Sequence, residues 1–186
     1  MTLFINACVR DNSRTKRLAD VVIAKIGPLS VEEVRLEDIV FPVVDRAFLI
    51  KRDYLIKKGL FCDKTFALAR QFAAADEIVI AAPFWDLSFP AALKQYFEQI
   101  NVTGVTFRYR PDGTIEGLCK AKKLTFVTTA GGDYFPEEFG FGYVKALAQN
   151  FYGIKDVELI KATGLDIDGS DAEAVLQKAI IKICNN

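Results

Sequence analysis

The sequence predicts an α/β domain built on an open parallel sheet of five strands, with helices covering both faces. Two observations carry this prediction. Short apolar runs alternate with amphipathic helical patterns along the chain, and Gly, Pro or polar segments bound most of them. A length of 186 residues suits one domain with a two-sided core, and no repeat or linker divides it. Residues 1–186 are therefore expected to form a single domain.

In the first half of the chain, strands are predicted at residues 3–8, 31–36 and 77–82, because each is a short run of the length that a buried strand needs. A helix is predicted where Leu18, Val21, Val22 and Ile26 recur on one face, and Gly27-Pro28 stops it. Residues 45–59 and 63–75 also have helical patterns.

In the second half, strands are predicted at residues 123–129 and 157–162, and helices at 91–100, about 137–150 and 171–184. Ser170-Asp171-Ala172-Glu173 has the composition of a capped helix start. The connection over 102–121 is unusually long for a compact domain. We expect it to be functional or part of an interface.

Composition limits the classes of function. The 24 basic and 24 acidic residues balance to a net charge of +0, which gives no field to attract nucleic acid or an anionic membrane. The chain has no His, so imidazole metal sites and Ser-His or Cys-His pairs are excluded, and no metal is expected. The four separated cysteines and the short apolar N-terminus, which does not fit a signal peptide, indicate a cytoplasmic protein.

An open parallel sheet binds ligands beyond the carboxyl ends of its strands, where strand order reverses. For the order 2-1-3-4-5 that point lies between the first and third strands, so the relevant loops are 8–15, 83–88 and 129–134. The first loop carries Arg10, Ser13, Arg14 and Thr15 at a helix N-terminus, which is a favourable place for an anion. A plain helix cap with solvated arginines explains the same residues.

The other two loops differ in chemistry. Pro83-Phe84-Trp85-Asp86-Leu87 places the single Trp at the end of a central strand, where it suits a flat ring or, equally, plugs the core. Thr129, Gly131 and Gly132 allow backbone to approach a ligand closely, or simply make a tight turn. The convergence of all three loops at one point favours a binding site.

At these residues the sequence resembles the flavodoxin-like NAD(P)H:quinone oxidoreductases, and most closely the FMN-dependent NADH-azoreductases. The most specific segments are Ala82-Pro83-Phe84-Trp85 with the following 89–97, then Gly104-Val105-Thr106-Phe107-Arg108-Tyr109, and Thr128-Thr129-Ala130-Gly131-Gly132. The similarity extends over nearly the whole chain. It implies a flavodoxin-like three-layer fold, an FMN cofactor, NADH or NADPH as electron donor, and a homodimer with the flavin at the subunit boundary.

The resemblance also implies which residues hold the cofactor. The resemblance implies that Arg10, Ser13, Arg14 and Thr15 bind the FMN phosphate, and that the loop after the third strand contacts the isoalloxazine ring. The Gly-Gly loop is implied to hydrogen-bond the pyrimidine edge of the ring. The residues implied for these last two are Pro83, Phe84, Trp85, Asp86, Leu87, Thr129, Gly131 and Gly132.

Two loops depart from the family pattern. The first carries Cys8, Val9 and Asp11 where small hydroxyl residues are usual, and Asp11 would repel a phosphate unless it points away or pairs with an arginine. Asp86 stands where Asn is common.

The resemblance implies ping-pong reduction of quinones, azo compounds or similar small acceptors. Backbone N–H groups would stabilise the reduced flavin, so no side chain, Tyr134 included, is assigned a catalytic role.

Two other functions remain open from the residues. Cys8 and Arg14, followed by Thr15, have the spacing of low-molecular-weight tyrosine phosphatases, which use a Cys nucleophile and an Arg. Those enzymes also use an Asp-Pro general acid, and the chain has no such dipeptide. A non-catalytic flavin-binding electron carrier is the other alternative, although such carriers are typically strongly acidic.

Overall fold

A computed structural model describes residues 1–27 and 30–185 of the protein. Its main elements run β1 (Thr2–Asn6), α1 (Arg14–Ile26), β2 (Val31–Arg35), α2 (Arg46–Lys57), α3 (Ala67–Ala74), β3 (Glu77–Ala81), α4 (Ala91–Ile100), β4 (Phe107–Tyr109), β5 (Ile115–Gly117), β6 (Lys123–Thr129), α5 (Gly140–Leu147), β7 (Asp156–Ala162) and α6 (Ala172–Asn185). Pro28, half of the predicted helix stop, lies outside the described residues. Gly27 does follow α1, and its N–H donates to the Ile23 carbonyl at 3.0 Å.

Five parallel strands form the main sheet in the order β2-β1-β3-β6-β7. Counted among these five, that order is 2-1-3-4-5, so the predicted fold class and topology are confirmed. The reversal between β1 and β3 brings the loops after β1, β3 and β6 to one edge of the sheet.

Helices cover both faces of the sheet, and the strand side chains alternate between two cores. Residues such as Leu3, Ile80 and Phe126 pack on the side of α3, α4 and α5. Phe4 and Val79 pack on the side of α1 and α6. The central strands β1, β3 and β6 are buried on both faces and are largely apolar, which explains why they appear in the sequence as short apolar runs.

Several predicted ends shift by a few residues. β1 ends at Asn6, whose side-chain oxygen accepts a hydrogen bond from the Cys8 N–H at 2.9 Å. A 3-10 turn, Lys64–Phe66, precedes α3, and α5 continues as a π-helix, Ala148–Tyr152. At the start of α6, Asp171 is the capping residue, because its carboxylate accepts from the Ala174 N–H at 3.0 Å.

The connection over 102–121 is not a loop throughout, because β4 and β5 pair within it as an antiparallel hairpin. Asp112 and Gly113 form its turn, and Gly113 adopts a φ of 82°, which glycine accepts without strain. The Phe107 ring lies 4.8 Å from the ring of Phe151 in the π-helix, so the hairpin is packed onto the domain. None of the helices within 1–27 and 30–185 has the length and apolar character needed to cross a bilayer.

Candidate functional site

A cleft of about 270 Å³ opens at the carboxyl ends of β1, β3 and β6. It is lined by Arg10, Asn12, Ser13, Arg14, Thr15, Pro83, Phe84, Trp85, Thr129, Ala130, Gly131 and Asp166. All of the residues predicted for the site line this cleft except Asp86, Leu87 and Gly132. The three loops predicted to converge therefore do meet at one place.

The N-terminus of α1 forms one end of this cleft. Ser13 caps the helix, because its hydroxyl accepts a hydrogen bond from the Lys16 N–H at 3.2 Å. The N–H groups of Arg14 and Thr15, in the first turn, have no carbonyl partner within the helix. The buried Thr15 hydroxyl lies 2.6 Å from that of Thr129 and ties the helix start to the end of β6. Ser13 is thus a helix cap, and the first turn still offers free donors to an anion.

The two arginines of this loop have different partners. The Arg14 guanidinium donates to the Leu165 carbonyl at 3.0 Å and pairs with Asp166 at 2.7 Å. The Arg10 guanidinium lies 5.8 Å from the centre of the Trp85 ring. Asp11 is exposed and does not line the cleft, which removes the repulsion that the sequence raised.

The aromatic loop forms the wall of the cleft. The Phe84 N–H donates to the Thr129 carbonyl at 3.0 Å, which fixes the loop against β6. Trp85 and Ser88 exchange backbone hydrogen bonds of 3.2 and 2.7 Å around a tight turn. Its central residues, Asp86 and Leu87, have φ values of 51° and 62°. Positive φ at both positions is the type I′ pattern, which carries strain in a leucine.

This turn directs Asp86 and Leu87 into a neighbouring groove of about 650 Å³, which runs between the turn and α5. The groove is lined by Asp86, Leu87, Ser88, Phe89, Lys94, Glu138, Phe139, Gly140, Gly142, Tyr143 and Ala146. Tyr134 lines neither cavity, and it is 73% exposed.

The glycine loop after β6 approaches the first cleft through its backbone. A Cβ on Gly131 would overlap an Asp166 carboxylate oxygen, so any larger residue here would displace the Asp166 side chain. The Ala130 N–H donates to Ala162 at 3.0 Å, whereas the N–H groups of Gly131 and Gly132 make no hydrogen bond within residues 1–27 and 30–185. Gly132 is exposed, and its carbonyl accepts from the Gly164 N–H at 3.0 Å.

The sequence interpretation missed Asn12, Ala130 and Asp166. Asn12 and Ala130 lie inside loops that had been identified. Asp166 follows β7, and its N–H donates to the Gly131 carbonyl at 2.9 Å. Its position after the carboxyl end of a strand was the available signal, because that is the edge where ligands bind.

Cys8 does not have the environment of a catalytic thiolate. Its side chain is 7% exposed, and the thiol lies 3.8 Å from the Ala81 carbonyl oxygen. Burial raises the pKa of the Cys8 thiol to about 11, whereas nucleophilic cysteines have lowered pKa values. Cys8 is also absent from the lining of the cleft. The structure therefore argues against the phosphatase alternative.

A protein family and several known proteins match this chain. A family model described as having a flavodoxin-like fold matches residues 1–186. The chain is 45% identical over 119 residues to FMN-dependent NADH:quinone oxidoreductase 2 of Clostridium acetobutylicum, an alignment covering 61% of this chain and 58% of the relative. It is 42% identical over 116 residues to the FMN-dependent NADH:quinone oxidoreductase of Clostridium perfringens, covering 61% and 58%. The matches thus span less than two thirds of these relatives' lengths.

Solved structures resemble the whole chain. An azoreductase from Bacillus anthracis strain Sterne superposes with a TM-score of 0.84 at 25% identity, covering 99% of this chain and 96% of that one. An FMN-dependent NADH-azoreductase from the Ames Ancestor strain of B. anthracis, solved in complex with FMN, gives 0.80 at 25% identity, with 98% and 94% covered.

Proposed function

The chain belongs to the family with a flavodoxin-like fold, and on that premise we propose that it is an FMN-dependent NAD(P)H oxidoreductase that reduces quinones, azo compounds or similar small acceptors. One observation carries the proposal: a single cleft combines an anion site at a helix N-terminus, an aromatic wall and a glycine loop with free N–H groups. These are the parts that a phosphorylated, planar, hydrogen-bonding cofactor requires.

FMN fits the residues that are present. Its phosphate would take the free N–H groups of Arg14 and Thr15, the Ser13 hydroxyl and the positive charge of Arg10. Its ring system would lie against Pro83, Phe84 and Trp85, and its polar edge would meet Thr129 and the glycine loop. When bound, FMN supplies a ring that takes a hydride from the nicotinamide and passes electrons to the acceptor.

This chain's own residues then have three tasks. The N–H groups of Gly131 and Gly132 are held by the loop's bonds to the β7 side, so they can stabilise negative charge at a ring edge without reorganising. Phe84 and Trp85 restrict water beside the ring. Asp86 and Leu87 border the adjoining groove, which gives donor and acceptor a place to bind in turn. The lack of His is no obstacle, because none of these tasks needs a titrating side chain.

We further propose that the protein is a homodimer in the cytoplasm. Large apolar side chains are exposed along 39–60, with Val40 96%, Val43 79% and Ile50 60% exposed, and a second copy would cover such a surface. All four cysteines are free, which suits a reducing compartment. Light scattering at monomer mass across a dilution series, with FMN bound, would contradict the dimer.

The test of the central proposal is the absorption spectrum of the purified protein, followed by titration with FMN, FAD and riboflavin. We expect FMN to bind at micromolar concentration or tighter and in preference to the other two, and NADH or NADPH to bleach the bound flavin. Double-reciprocal plots of steady-state rate against quinone concentration, at several fixed nicotinamide concentrations, should give the parallel lines of a ping-pong scheme. No FMN binding at micromolar concentration would refute the proposal, and flavin that neither nicotinamide reduces would leave only an electron carrier.

A pair of variants separates this proposal from the phosphatase alternative. Cys8→Ser is nearly isosteric and should leave most reductase activity intact, because flavin reduction needs no thiolate. Wild-type hydrolysis of an aryl phosphate that disappears in Cys8→Ser, in protein without flavin, would overturn the assignment. Asn12→Ala serves as a matched loop variant that leaves the thiol in place.

A further inference from the structure

We infer that Arg14 and Asp166 form a positioning pair, which aligns the glycine loop with the start of α1, while the guanidinium of Arg10 is the one that meets the phosphate. This inference rests on the proposed function, because it concerns how the same cleft would hold FMN. The sequence positions of Arg10 and Arg14 suggest that both side chains bind the phosphate. This inference gives phosphate binding to the Arg10 side chain and loop positioning to the Arg14 side chain.

The pair connects loops that belong to three different strands. From α1, just after β1, the Arg14 guanidinium reaches the Leu165 carbonyl at 3.0 Å and the Asp166 carboxylate at 2.7 Å. Asp166 in turn donates its N–H to the Gly131 carbonyl at 2.9 Å. Its carboxylate also fills the space that a Cβ on Gly131 would need. The glycine loop is therefore held on the side away from its free N–H groups.

Moving the Arg14 guanidinium toward a phosphate would break these contacts. Leu165 is 3% exposed, and its carbonyl would lose the donor that the structure provides. Besides the loss of a donor at this partly buried carbonyl, the Asp166 carboxylate would be left unpaired beside an incoming phosphate of the same charge. Arg14 therefore contributes its backbone N–H to the anion site and its side chain to the loop.

The Arg10 side chain differs from that of Arg14 in its partners. Within residues 1–27 and 30–185 its side chain makes no hydrogen bond or ion pair, and it is exposed. Its guanidinium lies near the Trp85 ring, at 5.8 Å from the ring centre. At 5.8 Å the guanidinium is at the outer limit of a cation–π contact, so all of its N–H donors are available to a phosphate.

The experiment compares FMN with riboflavin, which has the same ring system and no phosphate. Dissociation constants are measured by quenching of flavin fluorescence for the wild type, Arg14→Ala, Asp166→Ala and Arg10→Ala. We expect Arg14→Ala and Asp166→Ala to weaken both ligands by the same factor, about two- to fivefold, because the glycine loop that contacts the ring loses its support. Arg10→Ala should weaken FMN at least tenfold and leave riboflavin unchanged.

A second readout is the midpoint potential of bound FMN. If the N–H groups of Gly131 and Gly132 are displaced, the reduced anion loses stabilisation, and the potential falls in Arg14→Ala and Asp166→Ala but not in Arg10→Ala. Arg17→Ala is the matched control. Its guanidinium bonds both Glu173 oxygens, at 2.9 and 2.7 Å, and so joins α1 to α6 outside the cleft. It should change neither affinity nor potential.

The opposite pattern would overturn the inference. If Arg14 contacts the phosphate directly, Arg14→Ala weakens FMN alone, and Asp166→Ala tightens FMN because it frees the arginine. Should an alanine variant not fold, as judged by circular dichroism, Asp166→Asn provides the same comparison with the side-chain size retained. A wild type that binds neither flavin would instead refute the proposed function, which is a distinguishable result.

Discussion

The hydroxyl of Tyr96 is the clearest energetic defect in the core, and removing it should stabilise the protein. Tyr96 is 0% exposed, and its ring packs edge-on against Phe72 and Phe97 at 6.4 Å from each. Its hydroxyl oxygen has no hydrogen-bond partner in the described part of the chain. Burial, with a smaller effect of Cys119 and Glu32, raises the pKa of Tyr96 well above its ordinary value, so the group stays protonated.

A buried hydroxyl without a partner costs about 1–3 kcal/mol of desolvation, whereas the ring contributes the same packing in Phe as in Tyr. Tyr96→Phe should therefore raise the free energy of unfolding by about 1 kcal/mol, and the melting temperature by roughly 2–4 °C for a chain of this size. The measurement is urea unfolding of flavin-free protein followed by circular dichroism, since a bound ligand would add its own stabilisation.

Tyr152→Phe is the matched control. Tyr152 is also nearly inaccessible, at 1% exposed, but its hydroxyl donates to the Asn101 side-chain oxygen at 2.7 Å. Loss of that bond should lower the free energy of unfolding by about 0.5–1.5 kcal/mol. The two substitutions delete the same atom and should have opposite signs. A Tyr96→Phe variant less stable than wild type by 0.5 kcal/mol or more would mean that the hydroxyl has a partner, and the reasoning would fail.

Three further predictions concern other parts of the molecule. Gly117→Ala should lower the unfolding free energy by about 1–3 kcal/mol in urea, because its Cβ would collide with the backbone of Tyr152 and Gly153; a neutral effect would mean that the hairpin seats differently. Leu87→Gly should be about 1 kcal/mol more stable than Leu87→Ala, the reverse of the usual order, because φ there is 62°; equal stabilities would argue against the strained turn. A neutral-pH titration with a disulfide reagent should modify the exposed Cys62 and Cys184 rapidly and the buried Cys8 only on unfolding, and rapid labelling of Cys8 would contradict its burial.

The central strands β1, β3 and β6 were predictable because they are buried on both faces. Val79 and Ile80 face opposite cores, so β3 is apolar at every position after Glu77 and stands out in the sequence. The β4–β5 hairpin gave no comparable signal, because each of its strands has three residues and one face of the hairpin is exposed. Asp112-Gly113 is a typical hairpin turn, and it was the one local indication.

The candidate site was predictable to the extent that it follows from topology. Once the strand order is known, the loops after β1, β3 and β6 must meet, whatever their exact residues. The directions of Asp86 and Leu87 did not follow, because nothing in the residue types marks a turn with positive φ at both positions. Asp-Gly or Asn-Gly would have marked it. The strained leucine is therefore visible only in the structure, and strain kept at such a position suggests that its side chain is used.

Asp166 shows the remaining limit most clearly. It is separated from Arg14 by 152 positions in the chain, and its own segment is polar and turn-rich, so it resembles any surface loop. Its role depends on residues from other parts of the fold: it pairs with the Arg14 guanidinium of α1 and lies beside Gly131 in the loop after β6. A side chain at position 131 would displace this carboxylate as well as approach any ligand, and the local sequence gives no sign of the first effect. The two interpretations that the sequence offered for Gly131-Gly132, room for a ligand or a tight turn, both leave out this contact with Asp166.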